Sequence, residues 1–524
     1  MMGLLKGLFR RGIPVVLIAC LCAGTLSGEV DTAALTAEEM VQQGSARYHT
    51  GDYEGAERLL SAFVSSYAES PEATGALAHV LPLLVLSSVR LDKFSEAAAH
   101  IERWERTVSN PLPLVTEEMR FWKGVCQLQM GEALPAVESL QKFARDFPRS
   151  NKREEACLLA AATLAAQERH PDVETYLAGL ETSFTPAGRS RAAVLRLYAL
   201  IQSGKRDDAL ALVMRTFPQS ETMLQIISFH TLSLELGSAF LDEGEYQKAI
   251  ACLQRVWHAE RLRRHQEARL RTLEAQIAAA RERGTELHRH IALSQMAAKV
   301  RRELDSFRKI KDFDAALRLR VASAFREMGR FREAALVMEE MLRSLPPGEL
   351  VEQASISLIQ CWIQEERWPE AVRCADLFAQ KFPESKQTPL VLFLRGYALQ
   401  NDMRYAESIV DFAAVAEKFP KEKIAEQALF LKGFGELLLE EYPEALRTFK
   451  ETGKRYPKSD AAESACYWIG ETEALAKHYE NARRALAHYL KQYREGRFTG
   501  EAAFRRAYCA YALKDFDVSI KELR

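Results

Sequence analysis

At 524 residues the chain is too long for one ordinary compact core, so its length calls for several domains or a repeat array. An apolar share of 48% is that of folded protein and excludes disorder as the main state. A net charge of -1 excludes a general nucleic-acid-binding role.

Residues 1–28 read as an export signal peptide. Lys6, Arg10 and Arg11 precede a mostly apolar stretch from Ile13 to Leu26, and small residues follow. The stretch is short for a spanning helix. Leu17-Ile18-Ala19-Cys20 resembles a lipobox, which makes Cys20 a candidate for lipidation and a tether to membrane. Cleavage near Ser27 or Gly28 is the other route, and a retained anchor the third.

Residues 29–254 carry a loosely spaced repeat. Its marker positions are Tyr53, Phe94, Ala133, His170, Arg206 and Tyr246. Three residues after five of them comes alanine: Ala56, Ala97, Ala136, Ala209 and Ala249. Val173 breaks the rule, so the unit around His170 is expected to depart furthest. Gly44, Gly124 and Gly237 precede their markers by nine.

Residues 255–311 interrupt the repeat. The stretch 255–310 has no proline and carries fourteen Lys/Arg against seven Asp/Glu. Reflected about Gly284, Leu262 falls opposite Phe307, Leu273 opposite Met296, and Leu270 near Val300. That symmetry predicts a long antiparallel helical hairpin whose arms project about 35 Å at 1.5 Å per residue. Its excess positive charge suits either a solvated coiled-coil face or a docking arm. The arm could meet an acidic partner, an anionic envelope surface or a second protomer in a homo-oligomer. His288 and His290 flank Arg289 without a carboxylate or cysteine at metal spacing, and are expected to be exposed arm residues.

Residues 312–524 repeat strictly. Phe331, Trp368, Tyr405, Tyr442, Tyr479 and Phe516 recur at intervals of 37. Each is followed three later by Ala or Ser. Gly396, Gly433 and Gly470 precede by nine, and Phe382, Phe419 and Tyr456 come fourteen after, each before a proline. This spacing predicts helix hairpins. The marker starts the second helix, the small residue sits where helices cross, and proline ends the unit. One hairpin cannot bury its apolar face alone, so neighbours must stack. The last unit stops at Arg524 without a polar capping helix, from which a continuation of the native chain is expected.

These Gly, aromatic, Ala and Pro spacings resemble the tetratricopeptide repeat family. The aromatic-proline ending is similar to its bacterial cell-envelope members, the barrel-assembly lipoprotein and the periplasmic division-coordinator type. The resemblance implies an all-α fold, a right-handed superhelical solenoid interrupted by the long hairpin. It also implies a periplasmic or outer-membrane-associated scaffold whose first helices line a concave groove for peptides or partner proteins. Phe393, Phe430, Tyr467 and Phe504 share one phase of those helices. With Tyr397, Phe434, Tyr508 and Tyr511 they form the candidate peptide-binding set. Packing between successive hairpins is the other use of the same rings. A self-assembling structural protein and a non-catalytic part of a larger enzyme or secretion complex are the alternative readings.

No glycine-rich phosphate loop, nucleophile elbow or zinc-hydrolase motif occurs, so no catalytic, cofactor or metal residue is assigned. Beyond Cys20 and Cys22, seven cysteines remain. Their phases coincide with small apolar positions, which makes them buried hydrophobes. Cys361 and Cys374 are placed symmetrically about the turn at Trp368 and could bond.

Overall fold

The computed structural model describes residues 35–67, 74–282 and 287–523. The leader and Cys20 lie outside these residues, as do the turn at Gly284 and the side chains of His288 and His290. Every regular element among the described residues is helical.

All twelve marker residues are the first residues of helices. Tyr53–Tyr67, Phe94–Thr107 and Ala133–Asp146 begin there, and so do the second helices of every later hairpin through Phe516–Leu523. The small residue three positions in is fully or almost fully buried at each of them, with Ala334, Ala371, Ser408, Ala445 and Ala482 at 0%. A larger side chain there would hold the helices apart. The helix at His170 is short, as are Arg206–Thr216, which also runs into a 3-10 turn, and Tyr246–Leu253; the one at His170 begins the unit expected to depart furthest. It stops at Ala178, and a 3-10 turn, Glu181–Ser183, completes the unit.

The glycine nine residues before the marker has a specific partner. A Cβ on Gly396 or Gly433 would lie 2.9 Å from the ring of Phe412 or Phe449, and on Gly44, Gly124 or Gly470 within 2.8 Å of Leu60, Leu140 or Leu486. Each partner stands seven residues into the second helix. The glycine is therefore a notch for one core side chain.

The turn between the two helices carries a feature with no obvious mark in the sequence. The residue two before each marker has a positive φ. Glycine fills the position at 51, 131, 204, 244 and 329, but Asp92, Glu168, Glu366, Met403, Glu440, Lys477 and Lys514 fill the rest. One left-handed residue reverses the chain so that the second helix packs back on the first. At the other end, Phe382, Phe419 and Tyr456 cap their helices with φ of -129, -127 and -128°. The following proline disfavours helical geometry at the residue before it.

The chain forms two compact units. Among the described residues, the first holds those up to 239 and from 255 to 311, and the second holds 240–254 and those from 312 onward. In the second unit the helix Tyr246–Leu253 packs against Phe313–Glu327, so the stack resumes across the inserted segment. Ile250 joins the core of Ala322, Phe325, Met338 and Leu358 there.

In the first unit, Ala259–Glu282 and Leu287–Phe307 lie side by side and antiparallel. Glu274 pairs with Arg301 at 2.7 Å and Glu267 with Arg308 at 3.4 Å. Leu262, Leu273, Val300 and Phe307 are buried, while Met296 is exposed. Both helices also touch the rest of their unit, through contacts described below.

Candidate functional site

The candidate aromatic residues fall into two groups. Phe393, Phe430, Phe434 and Tyr467 are used in packing. Phe393 meets Phe412 edge-on at 5.8 Å within its own hairpin. Phe430 lies parallel to Phe434 at 6.3 Å, and Phe434 meets Trp468 of the next hairpin edge-on at 4.9 Å. Tyr467 stacks on Phe498 of the next hairpin at 4.6 Å. Its hydroxyl donates to Glu471 at 2.8 Å, and Arg505 Nε also donates to Glu471 at 2.8 Å. Burial, and then this carboxylate, push the Tyr467 hydroxyl far above its ordinary pKa.

Tyr397, Phe504, Tyr508 and Tyr511 face solvent, with Tyr397 at 37% and Phe504 at 63% exposure. Tyr397 leans edge-on against Trp368, and Tyr511 against Phe516. The guanidinium of Arg505 stands 5.8 Å from the Tyr508 ring. Tyr397 and Tyr508 both lie eight residues before their hairpin's second helix. Leu438 and Leu475, each four residues before theirs, are also exposed on first helices. An aromatic pattern does not single out these two leucines, but their 37-residue separation does. The surface offers apolar contact with a few hydroxyls.

Charge inside the same unit is paired. Arg395 Nε and Nη2 donate to the two oxygens of Asp411 at 2.8 and 2.6 Å, and Nη1 donates to Asp376 at 2.6 Å. Those hydrogen bonds, led by Asp411, hold the guanidinium pKa above its ordinary value. Cys361 and Cys374 are buried thiols, not a disulfide, and burial pushes each up to about 11. Cys126, Cys157, Cys252 and Cys509 are likewise buried, and Cys466 is half-buried.

The base of the inserted hairpin is a second dense cluster. Glu303 Oε1 accepts from the Ser228 N–H at 2.8 Å and its hydroxyl at 2.7 Å. Its Oε2 accepts from Gln266, which also donates to the Leu224 carbonyl at 2.8 Å. Trp257 stacks on His230 at 5.2 Å, and Arg261 covers the Trp257 ring at 3.5 Å. Burial drives His230 down to about 3, so its imidazole is neutral. The carboxylate, amide and ring pairs are structural contacts among helices and the loops at their ends. Sequence reasoning found none of them, because they join residues of no common period.

Stacked two-helix units of this kind define an α-solenoid repeat protein, and the family comparisons specify the repeat. Residues 118–150 match the family model for the tetratricopeptide repeat, and residues 320–430 match the family described as YfiO, outer membrane lipoprotein. The chain thus carries tetratricopeptide repeats, which mark it as a protein–protein interaction scaffold. Among solved structures, Naa15/Naa10 bound to HypK-THB is similar at 11% identity, covering 93% of this chain and 68% of that one with a TM-score of 0.39. The APC/C hetero-tetramer Cut9-Hcn1 is similar at 11% identity, covering 90% and 96% with a TM-score of 0.28. No curated protein sequence matches the chain.

Proposed function

We propose that the chain is a non-enzymatic scaffold of a bacterial cell envelope, which holds peptide segments or partner proteins against the first helices of residues 312–524. One observation carries this reading: Tyr397, Leu438, Leu475 and Tyr508 remain open on successive first helices while neighbouring rings are spent on packing. The YfiO match over residues 320–430 supports the envelope setting. So does the leader read at residues 1–28. Lipidation at Cys20 tethers the scaffold to membrane, and the mass of the mature N-terminus tests that step.

The binding face is tested by placing a photo-crosslinking amino acid at Tyr397, and at Val410 on the second helix as a still more exposed control. In envelope preparations the probe at 397 captures discrete partners, and the probe at 410 does not. Equal capture from both positions, or none from 397, would remove the face from consideration.

A further inference from the structure

The inserted segment meets first helices of the first unit. Glu303 caps the start of Ile226–Asp242 through Ser228. Lys299, one helical turn earlier, interacts electrostatically with Arg191 of Pro186–Gln202 and Glu155 of Arg153–Ala166. Arg191 and Glu155 are themselves a two-bond ion pair. Each lies fifteen residues before its hairpin's second helix. In the second unit, Leu390 and Gln427 hold the same position; Leu390 is half-buried, as Arg191 and Glu155 are, and Gln427 is exposed.

Burial agrees with that placement. Pro186–Gln202 is buried without a break from Ala192 to Ile201. Tyr198, eight residues before its second helix, is 5% exposed, against 37% for Tyr397 at the equivalent place. Both rings make the same edge-on contact with the first residue of the preceding second helix, His170–Tyr198 at 5.5 Å and Trp368–Tyr397 at 6.3 Å. The shared ring contact therefore does not by itself set their exposure.

We propose that residues 255–311 are a built-in occupant of the first unit's inner face, an autoinhibitory strap that closes those first helices to other ligands. The latch is polar and sits on one short loop. Arg269 donates to the Glu221 carbonyl at 2.8 Å and to that of Met223. Arg261 donates to the Glu221 carboxylate at 3.1 Å, and His265 Nε2 lies 3.0 Å from the Glu221 carbonyl. Each such bond contributes modestly to stability, so this end of the strap loosens first, and full opening also releases the buried Glu303 contacts. The ligand that replaces it shares its chemistry, a basic amphipathic helix with a lysine and a carboxylate one turn apart. This assignment is independent of what the second unit binds.

Hydrogen exchange on the full chain tests it, comparing wild type with Arg261→Ala/Arg269→Ala. The expected result is at least tenfold faster exchange in residues 287–307 and, together with it, in 186–202, while 388–401 is unchanged. Loosening of 287–307 with 186–202 still protected overturns the proposal, and so does no change in either. If the double variant fails to fold, a benzophenone side chain placed at 191 in the otherwise unaltered chain replaces it. Crosslinking to a peptide from 287–307 supports the strap, and failure to crosslink there overturns it.

Discussion

Glu303 caps Ser228 across 75 residues of sequence, taking both its backbone N–H and its hydroxyl. The carboxylate is buried, and desolvation raises its pKa, more than the hydrogen bonds from Ser228 and Gln266 lower it. Glu303→Ala leaves these donors without their acceptor and is expected to cost about 2–4 kcal/mol in urea unfolding, with Glu303→Gln costing less. The pH sign follows from the direction of the shift. A folded pKa above the unfolded one adds stability that is complete below the unfolded value, near 4.5, and is lost as pH rises through the folded value. The gap between wild type and Glu303→Gln should therefore widen in favour of wild type as pH falls through that window.

The left-handed turn residues give a second expectation. Met403, Glu440 and Lys477 have φ of 61, 60 and 62°. A side chain pays about 1 kcal/mol for that geometry, and glycine does not. Each of Met403→Gly, Glu440→Gly and Lys477→Gly should raise stability by about 0.5–1 kcal/mol after the entropy gained by the unfolded chain is set against the relief. Gly329→Ala should lower it by a similar amount. Thermal unfolding of the four variants decides the matter.

The notch glycines should behave in the opposite way. Gly470→Ala brings a methyl to 2.6 Å from Leu486, and Gly433→Ala to 2.9 Å from Phe449. Overpacking of that kind costs about 1–3 kcal/mol. Gly453 lies within the helix Tyr442–Arg455 and would meet nothing within 4 Å. Gly453→Ala should therefore stabilise by up to about 1 kcal/mol through helix propensity. Equal effects at 453 and 470 would show that the notch is not under steric control.

Arg395→Leu leaves Asp411, whose side chain is 3% exposed, as a buried carboxylate without its cation. The expected loss is about 3–5 kcal/mol. Arg395→Leu/Asp411→Leu should recover most of it, because the uncompensated charge is gone. A double variant as unstable as the single one would mean that the pair matters for shape and not for charge.

How much was legible beforehand depends on period. Phe331 through Phe516 could be placed at helix starts because every unit repeats the same solution, and so could the looser markers from Tyr53 to Tyr246. The turn geometry two residues earlier stayed hidden, because Glu366, Met403 and Lys477 give no glycine signal. Phase alone put Tyr467 and Phe504 in one line. It could not say that Phe498 covers the first while the second faces solvent. The reflection about Gly284 paired the two inserted helices. Their seat on residues 221–230 rests on single polar contacts, such as Gln266 to the Leu224 carbonyl, that no repeat encodes.

Lys381 donates to the Leu342 carbonyl, and Arg455 donates to the Ala416 carbonyl, so donor and acceptor have each moved by the same 74 residues, two whole units. A deletion of 37 residues between equivalent turns brings together surfaces that already fit. Loss or gain of one unit would thus change the array's reach while keeping this junction, with ring contacts such as Tyr467 on Phe498 to be remade.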